Sequence, residues 1–162
     1  MQNYLALQKT RTLLQECIRE SRRISHDLIP TILEDFGLAA AVKDICERLN
    51  GKVRIRCEVS GINNRLDKYM ELTIFRIVQE LIFNVIKHAE STEASVKVKA
   101  VSESLEITVD DNGKGFDITE TKNGIGLKII NSKVHLLNGQ FQVCTEPGVK
   151  TSVRIVLPIT IN

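Results

Sequence analysis

From Tyr4 to Leu28 the chain contains neither glycine nor proline. Apolar residues recur there along one seven-residue seam, and they are Leu7, Leu14, Cys17, Ile24 and Leu28. This spacing predicts a single long amphipathic helix, with Thr10 and Ser21 as polar interruptions of the seam. Because one such helix has nothing within its own segment to pack against, we expect it to pair with a second copy or with sequence outside this chain.

Proline and glycine separate this helical arm from the residues that follow. Pro30 disfavours helical geometry at the residue before it, and Gly37 interrupts the next stretch. At 162 residues the chain has room for one full domain and a short additional element. We therefore predict an arm at residues 1–30 and a domain at residues 31–162.

The domain combines helical and strand patterns that are segregated along the chain. A 3.6-residue period predicts helices at Leu38–Leu49 and Asp67–His88, and a third helix ends at Leu137. Alternating apolar and polar residues predict strands at Val53–Val59, Ser95–Val101, Leu105–Asp110, Gln140–Thr145 and Ser152–Leu157. This order predicts an α+β fold, with a mixed sheet that carries helices on one face.

Charge and apolar content exclude several classes of partner. Lys and Arg total 22 against 20 Asp and Glu, and a formal charge of +2 is too weak for a phosphate-tracking surface, so we expect no nucleic acid partner. No apolar run approaches the ~20 residues of a membrane span. The four cysteines form no C-x-x-C pair. We expect a reducing cytoplasmic location, no zinc, and no membrane contact by these residues.

One polar stripe on the second predicted helix is a candidate site. Glu80, Asn84 and Lys87 lie at offsets of 0, 4 and 7, which places them within about 60° of arc, and His88 extends the stripe. The opposite face is apolar. A solvated helix face explains such a stripe equally well, so a functional interpretation needs a second element that faces it.

A glycine-containing segment at the end of a strand provides that second element. Asp111 is followed by Gly113 and Gly115 in a D-x-G-x-G pattern. The glycines allow the backbone to approach a ligand closely, and the carboxylate can accept a hydrogen bond from an amino group such as that of adenine. A tight turn is the alternative, whereas a calcium loop is excluded because the alternating acids and the terminal Glu are missing.

Two further motifs follow the D-x-G-x-G segment. Gly124 and Gly126, followed by Leu127, open a helix, and glycine amides at a helix N-terminus favour a phosphate. The segment is not a P-loop, since no G-K-[ST] closes it. Thr151 follows Gly148 at the start of the last strand and could bond a base directly or through water, although a plain hairpin turn fits as well.

The four motifs occur together in an order that resembles the catalytic ATP-binding domain of histidine kinases in the GHKL ATPase superfamily. They are E-x-x-x-N-x-x-K-H, D-x-G-x-G, G-x-G-L and G-x-x-T, which look like the N, G1, G2 and threonine boxes. The resemblance covers about Ile32 to Pro158. It implies a Bergerat α/β sandwich that binds ATP and Mg²⁺.

The resemblance also implies roles at the adenine end of the ligand. Asp111 would hold the adenine amino group, Gly113 and Gly115 would shape the pocket, and Thr151 would support the base.

At the phosphate end, the resemblance implies that Asn84 binds Mg²⁺ and that Lys87 contacts phosphate. Glu80 would orient or deprotonate an acceptor imidazole. Gly124 and Gly126 would form the hinges of a lid over the triphosphate. His88 and Leu127, inside the same boxes, complete the nucleotide-binding set.

The segment before the domain resembles one particular class of these kinases. Arg22 to Pro30, followed by L-E-D-F-G-L from Leu33, looks like the end of the second dimerisation helix in nitrate-sensor-like kinases. This implies a homodimer formed through the arm, and transfer of the ATP γ-phosphate to a histidine and then to a response regulator. We expect His26 to be a junction residue, and the acceptor histidine to lie on a first arm before Met1. The alternatives are an anti-sigma-type serine kinase and a nucleotide-binding module without transfer activity.

Overall fold

A computed structural model describes residues 29–116 and 125–160, together with Thr10, Arg11, Leu13, Leu14 and Cys17. The chain divides into two compact units, Met1–Thr31 and Ile32–Asn162. In the first unit Thr10, Arg11, Leu13, Leu14 and Cys17 have helical backbone, and Leu14 and Cys17 of the predicted seam are exposed. The rest of the predicted arm helix lies outside the described residues, as does His26. No helix in the described part of the chain is long and apolar enough to cross a membrane.

Helix α1 (Thr31–Leu49), which lies in the second unit except for its first residue, is interrupted at Gly37. Gly37 has φ 81° and ψ −177°, so two helical segments meet there. The second segment corresponds to the helix predicted at Leu38–Leu49. Its apolar face is buried, with Leu38, Ala41, Val42, Ile45 and Cys46 in the core.

The second helix, α2 (Lys68–Asn84), carries Glu80 and Asn84 of the predicted polar stripe. Asp67 caps its N-terminus by accepting hydrogen bonds from the amides of Tyr69 and Met70. The apolar face of α2 is buried, with Ile74, Phe75, Ile77, Val78, Leu81 and Ile82 in the core. The sequence predicted one regular helix through His88, and the structure corrects this: α2 ends at Asn84 and a single π-helical turn, Val85–Ala89, follows it.

Five strands form one mixed sheet in the order β1-β2-β3-β5-β4. Their bounds are β1 Arg54–Ser60, β2 Glu93–Val101, β3 Ser104–Asp111, β4 Gln140–Glu146 and β5 Lys150–Pro158. The β1–β2 pair is parallel and the other three pairs are antiparallel. The third helix, α3 (Ile125–Leu136), precedes β4. The predicted strands and the α+β class are therefore confirmed.

The sheet has one buried face and one polar face. Alternate residues of β2, β3 and β5 join the helices in a single hydrophobic cluster, and they are Val96, Val98, Leu105, Ile107, Val109, Val153, Ile155 and Leu157. The residues between them, such as Lys97, Lys99 and Arg154, are exposed. This alternation confirms that the helices lie on one face of the sheet.

A buried carboxylate connects the start of α2 with α1. Glu71 is 1% exposed and accepts hydrogen bonds from the guanidinium of Arg65 and from the amide of Leu66. The same guanidinium donates to the carbonyls of Leu33 and Glu34, which lie just before the interruption of α1. One arginine thus neutralises a buried acid and satisfies two helix-terminal carbonyls.

The strand register determines where the candidate site forms. Asp111, the last residue of β3, lies opposite Ala94 of β2 and Thr151 of β5. Two residues from motifs 40 positions apart in the sequence are therefore neighbours across one pair of strands.

Candidate functional site

A cavity of about 380 Å³ lies between α2 with its π-turn, the end of β3 and the start of α3. This volume is in the range of small-molecule sites, ~300–1,000 Å³. The predicted site residues that line it are Glu80, Asn84, Lys87, His88, Asp111, Gly115, Gly126, Leu127 and Thr151. Gly113 does not line the cavity but packs closely against Ala89 and Asp111, which do, and Gly124 lies outside the described residues.

The second glycine of the G-x-G-L motif faces the polar stripe of α2. A Cβ atom built on Gly126 would lie 3.2 Å from Glu80 Oε1 and 3.5 Å from Asn84 Oδ1. Glu80 and Asn84 are half-buried, one helical turn apart. A carboxylate and an amide therefore lie close to the backbone of Gly126, and all three residues line the cavity.

The π-turn affects where the last two residues of the stripe lie. Lys87 and His88 are adjacent in the sequence, yet both are exposed and both line the cavity. A π-helical turn has a wider repeat than the 100° per residue of an α-helix, and such turns are frequent at functional sites. The ammonium of Lys87 lies 5.1 Å from the ring centroid of Phe83, in a cation–π contact.

Asp111 is the buried acid of the site, with 8% exposure. Its Oδ1 accepts the amide of Gly113 at 2.8 Å, and the second oxygen of a carboxylate has acceptor capacity for a ligand. Burial raises the pKa of Asp111 above its usual value, the Gly113 amide opposes that shift, and the neighbouring charge of Asp110 adds to it.

Gly113 holds the D-x-G-x-G segment against the π-turn. A Cβ atom at this position would lie 2.2 Å from the carbonyl oxygen of Ala89, so only glycine fits there. The next residue, Lys114, donates its amide to the same carbonyl at 2.7 Å, and its ammonium pairs with Glu90. The segment is therefore joined to the end of the polar stripe by backbone contacts.

Several residues that line the cavity had no role assigned from the sequence. They are Leu81, Val85, Ala89, Val109, Lys114, Phe116 and Val153. Lys114 lies inside the D-x-G-x-G motif and Phe116 directly follows it, so the motif could have indicated both residues. The other residues follow the apolar pattern of ordinary core residues, and such a pattern does not distinguish the wall of a cavity from a packed interior.

In the described part of the chain, no group of three or more His, Cys, Asp or Glu side chains could hold a metal ion by itself. Single oxygen-bearing side chains nevertheless line the cavity. Asn84 contributes an amide oxygen and Glu80 a carboxylate, which are the ligand types that Mg²⁺ takes, usually together with phosphate oxygens.

The comparison with known families identifies the class of protein to which this fold and cavity belong. Residues 69–161 match the family described as "Histidine kinase-, DNA gyrase B-, and HSP90-like ATPase". The match includes all four motifs and covers more than half of the chain, so the chain belongs to this family.

Among curated proteins, the chain is similar to the signal transduction histidine-protein kinase/phosphatase DegS of two bacteria. It is 33% identical to the Brevibacillus brevis protein over 153 residues, which are 93% of this chain and 40% of that protein. It is 33% identical to the Bacillus subtilis protein over 141 residues, which are 82% of this chain and 37% of that protein. The chain thus spans less than half the length of these relatives.

Solved structures share the fold. The histidine kinase domain from Erythrobacter litoralis EL346 blue-light activated histidine kinase has a TM-score of 0.63 and 21% identity, over 75% of this chain and 61% of that chain. The Acinetobacter baumannii histidine kinase AdeS has a TM-score of 0.63 and 16% identity, over 98% of this chain and 84% of that chain.

Proposed function

We propose that this chain is the ATP-binding catalytic core of a sensor histidine kinase, which transfers the ATP γ-phosphate to a histidine and from there to a response regulator. The observation that carries the proposal is the meeting of Glu80, Asn84, Asp111 and Thr151 at one cavity in a member of this ATPase family. The similarity to two DegS kinases over most of the chain supports the kinase class.

The adenine end of the ligand belongs next to the sheet. Asp111 accepts the exocyclic amino group of adenine on its second oxygen, while Oδ1 stays bonded to the Gly113 amide. Thr151, opposite Asp111 on β5, supports the base. The apolar wall, which includes Val109 and Val153, suits an aromatic ring.

The phosphate end belongs next to the polar stripe. Asn84 would hold Mg²⁺ through its amide oxygen, and the bound ion would supply positive charge to offset the negative charge that develops during phosphoryl transfer. Lys87 and His88 lie at the exposed side of the cavity, where their side chains can contact phosphate. Glu80 orients or deprotonates the acceptor imidazole. The hinge role of Gly124 and Gly126 stays a prediction from the resemblance.

Asn84→Ala is expected to remove the Mg²⁺ dependence of ATP binding, because it deletes the ligating oxygen and leaves the adenine contacts in place. ADP binding without metal should stay close to that of the unmodified protein. Calorimetric titration with ATP, with and without Mg²⁺, measures both. Equal enhancement by Mg²⁺ in the two proteins would remove Asn84 from the metal site.

The arm, residues 1–30, is proposed to be the second helix of a dimerisation hairpin, with the acceptor histidine on a first helix and His26 at the junction with the ATP-binding domain, residues 31–162. In this arrangement the full-length kinase is a homodimer that acts in the cytoplasm, and the chain itself cannot serve as its own phosphate acceptor.

Incubation with γ-labelled ATP tests this arrangement. We expect no label on the chain alone, and acid-labile label on a supplied first arm from the full-length protein. Acid-labile label on the chain alone that disappears in His26→Gln would contradict the assignment. Acid-stable label on a supplied serine substrate would indicate a serine kinase, and ATP binding without any transfer would indicate a non-transferring module.

A further inference from the structure

One hydroxyl on an edge strand lies within hydrogen-bond distance of both backbone polar groups of a residue that lines the cavity. Thr145 Oγ1 accepts the amide of Phe116 at 3.0 Å. The same oxygen lies 3.2 Å from the Phe116 carbonyl and 3.4 Å from the Lys150 carbonyl, to either of which the hydroxyl can donate its proton. Thr145 itself does not line the cavity, whereas Phe116 does.

The contact is part of a wider attachment of residues 114–116 to the hairpin of β4 and β5. Gly148 donates its amide to the Lys114 carbonyl. Gly115 has φ 59°, and a Cβ atom there would lie 2.4 Å from the Glu146 carbonyl oxygen. These two contacts are made by backbone atoms. Thr145 uses its side chain, so a substitution can remove that contact and leave the Gly148 and Gly115 contacts unchanged.

A threonine is suited to this place for a chemical reason. A hydroxyl accepts from an N–H and donates to a carbonyl at the same time, whereas the isosteric valine does neither. In β4 the sequence shows only a β-branched residue on the inward-facing side of an alternating strand, which is ordinary strand composition. The alternation therefore gives no indication that Thr145 contacts the cavity wall, and only the hydrogen bonds to Phe116 in the structure show it.

We propose that Thr145 is a positioning residue of the nucleotide site, which holds Phe116 in place against the adenine nucleotide. The inference rests on the proposed function, since it needs the cavity to bind an adenine nucleotide. Thr145 also lies directly opposite Thr151, which lines the same cavity. Of these two paired residues, Thr151 contributes to the cavity wall itself and Thr145 contacts Phe116, another part of that wall. Holding the Phe116 backbone before the ligand arrives lowers the ordering cost of binding.

Thr145→Val is expected to weaken ADP binding about fivefold, which is the size of effect that one or two ordinary hydrogen bonds produce. ATP with Mg²⁺ should weaken by the same factor, because Phe116 follows the D-x-G-x-G segment that is proposed to hold adenine and the proposed phosphate contacts are unchanged. Thr145→Ser keeps the hydroxyl and should restore affinity to within about twofold. Calorimetry on the full chain measures all three.

Amide hydrogen exchange distinguishes a local loss of the Thr145–Phe116 contact from a general loss of stability. In Thr145→Val we expect faster exchange at the Phe116 amide, with unchanged protection of the inner strands β3 and β5. Thr108→Val is the matched control, since Thr108 is another half-buried strand threonine that lies on the polar face of the sheet. It should bind ADP like the unmodified protein.

The results separate this inference from the function on which it rests. If the unmodified chain binds ADP and folded Thr145→Val binds it equally well, Thr145 has no positioning role. A Thr145→Ser variant as weak as Thr145→Val would also overturn the inference, because the hydroxyl would then not be the cause. If the unmodified chain binds no adenine nucleotide at all, the proposed function itself fails.

Discussion

Asp111→Asn is expected to weaken ATP binding about 10- to 100-fold, the effect of mispairing one buried polar group with its ligand. An amide presents an NH₂ group where the adenine amino group needs an acceptor. The amide oxygen of asparagine can still accept the Gly113 amide, so the D-x-G-x-G segment should keep its shape. Calorimetric titration with ATP measures the loss directly.

The same substitution should not lower the melting temperature at neutral pH. Burial raises the pKa of Asp111, so the folded state disfavours the ionised carboxyl. The stability this group contributes is therefore present at low pH and is lost as pH rises through the raised pKa. A neutral asparagine avoids that cost, and the variant should melt at or above the temperature of the unmodified protein.

Asp110→Asn is the matched control for Asp111→Asn. Asp110 is the preceding residue of β3, its side chain bonds the hydroxyl of Ser152 at 2.6 Å, and it does not line the cavity. We expect near-normal ATP affinity in this variant. Normal affinity in Asp111→Asn, or an equal loss in both variants, would remove Asp111 from the adenine pocket.

Arg65→Met is expected to lower the free energy of unfolding by about 3 kcal/mol, because it leaves the buried Glu71 carboxylate without its cation. The substitution also removes the donors to the Leu33 and Glu34 carbonyls of α1. The corresponding fall in melting temperature is about 10 °C for a domain of this size. Thermal and urea unfolding measure it.

The chain contains a matched control for Arg65→Met. Arg154 pairs with Glu106 through two bonds of 3.0 Å, in a similar two-point geometry, but both side chains are exposed. Exposed pairs contribute little, so Arg154→Met should melt close to the unmodified protein. The double variant Arg65→Met with Glu71→Leu should recover part of the loss, because no charge is then buried alone. Equal losses in Arg65→Met and Arg154→Met would show that burial of Glu71 is not the cause.

Local patterns predicted most of the architecture, because helical and strand periods are properties of short segments. The alternation in β3 and β5 indicated which residues are buried, and Asp67 stands at the start of α2 as its cap. The π-turn after Asn84 was not predicted, since Val85–Ala89 continues an apolar period that an α-helix fits equally well. It forms next to the D-x-G-x-G segment, where the Ala89 carbonyl accepts the amide of Lys114.

The sequence by itself determined the element order, the α+β class and the four motifs whose residues meet at the cavity, since residue type and spacing are written along the chain. Only the tertiary structure decided that Gly113 packs against the Ala89 carbonyl and that Arg65 binds both Glu71 and a carbonyl of α1. The same holds for the hydrogen bond between Thr145 and Phe116. The physical reason is distance along the chain. A contact between residues 29 positions apart, as for Thr145 and Phe116, depends on strand register and hairpin placement, which no local pattern specifies.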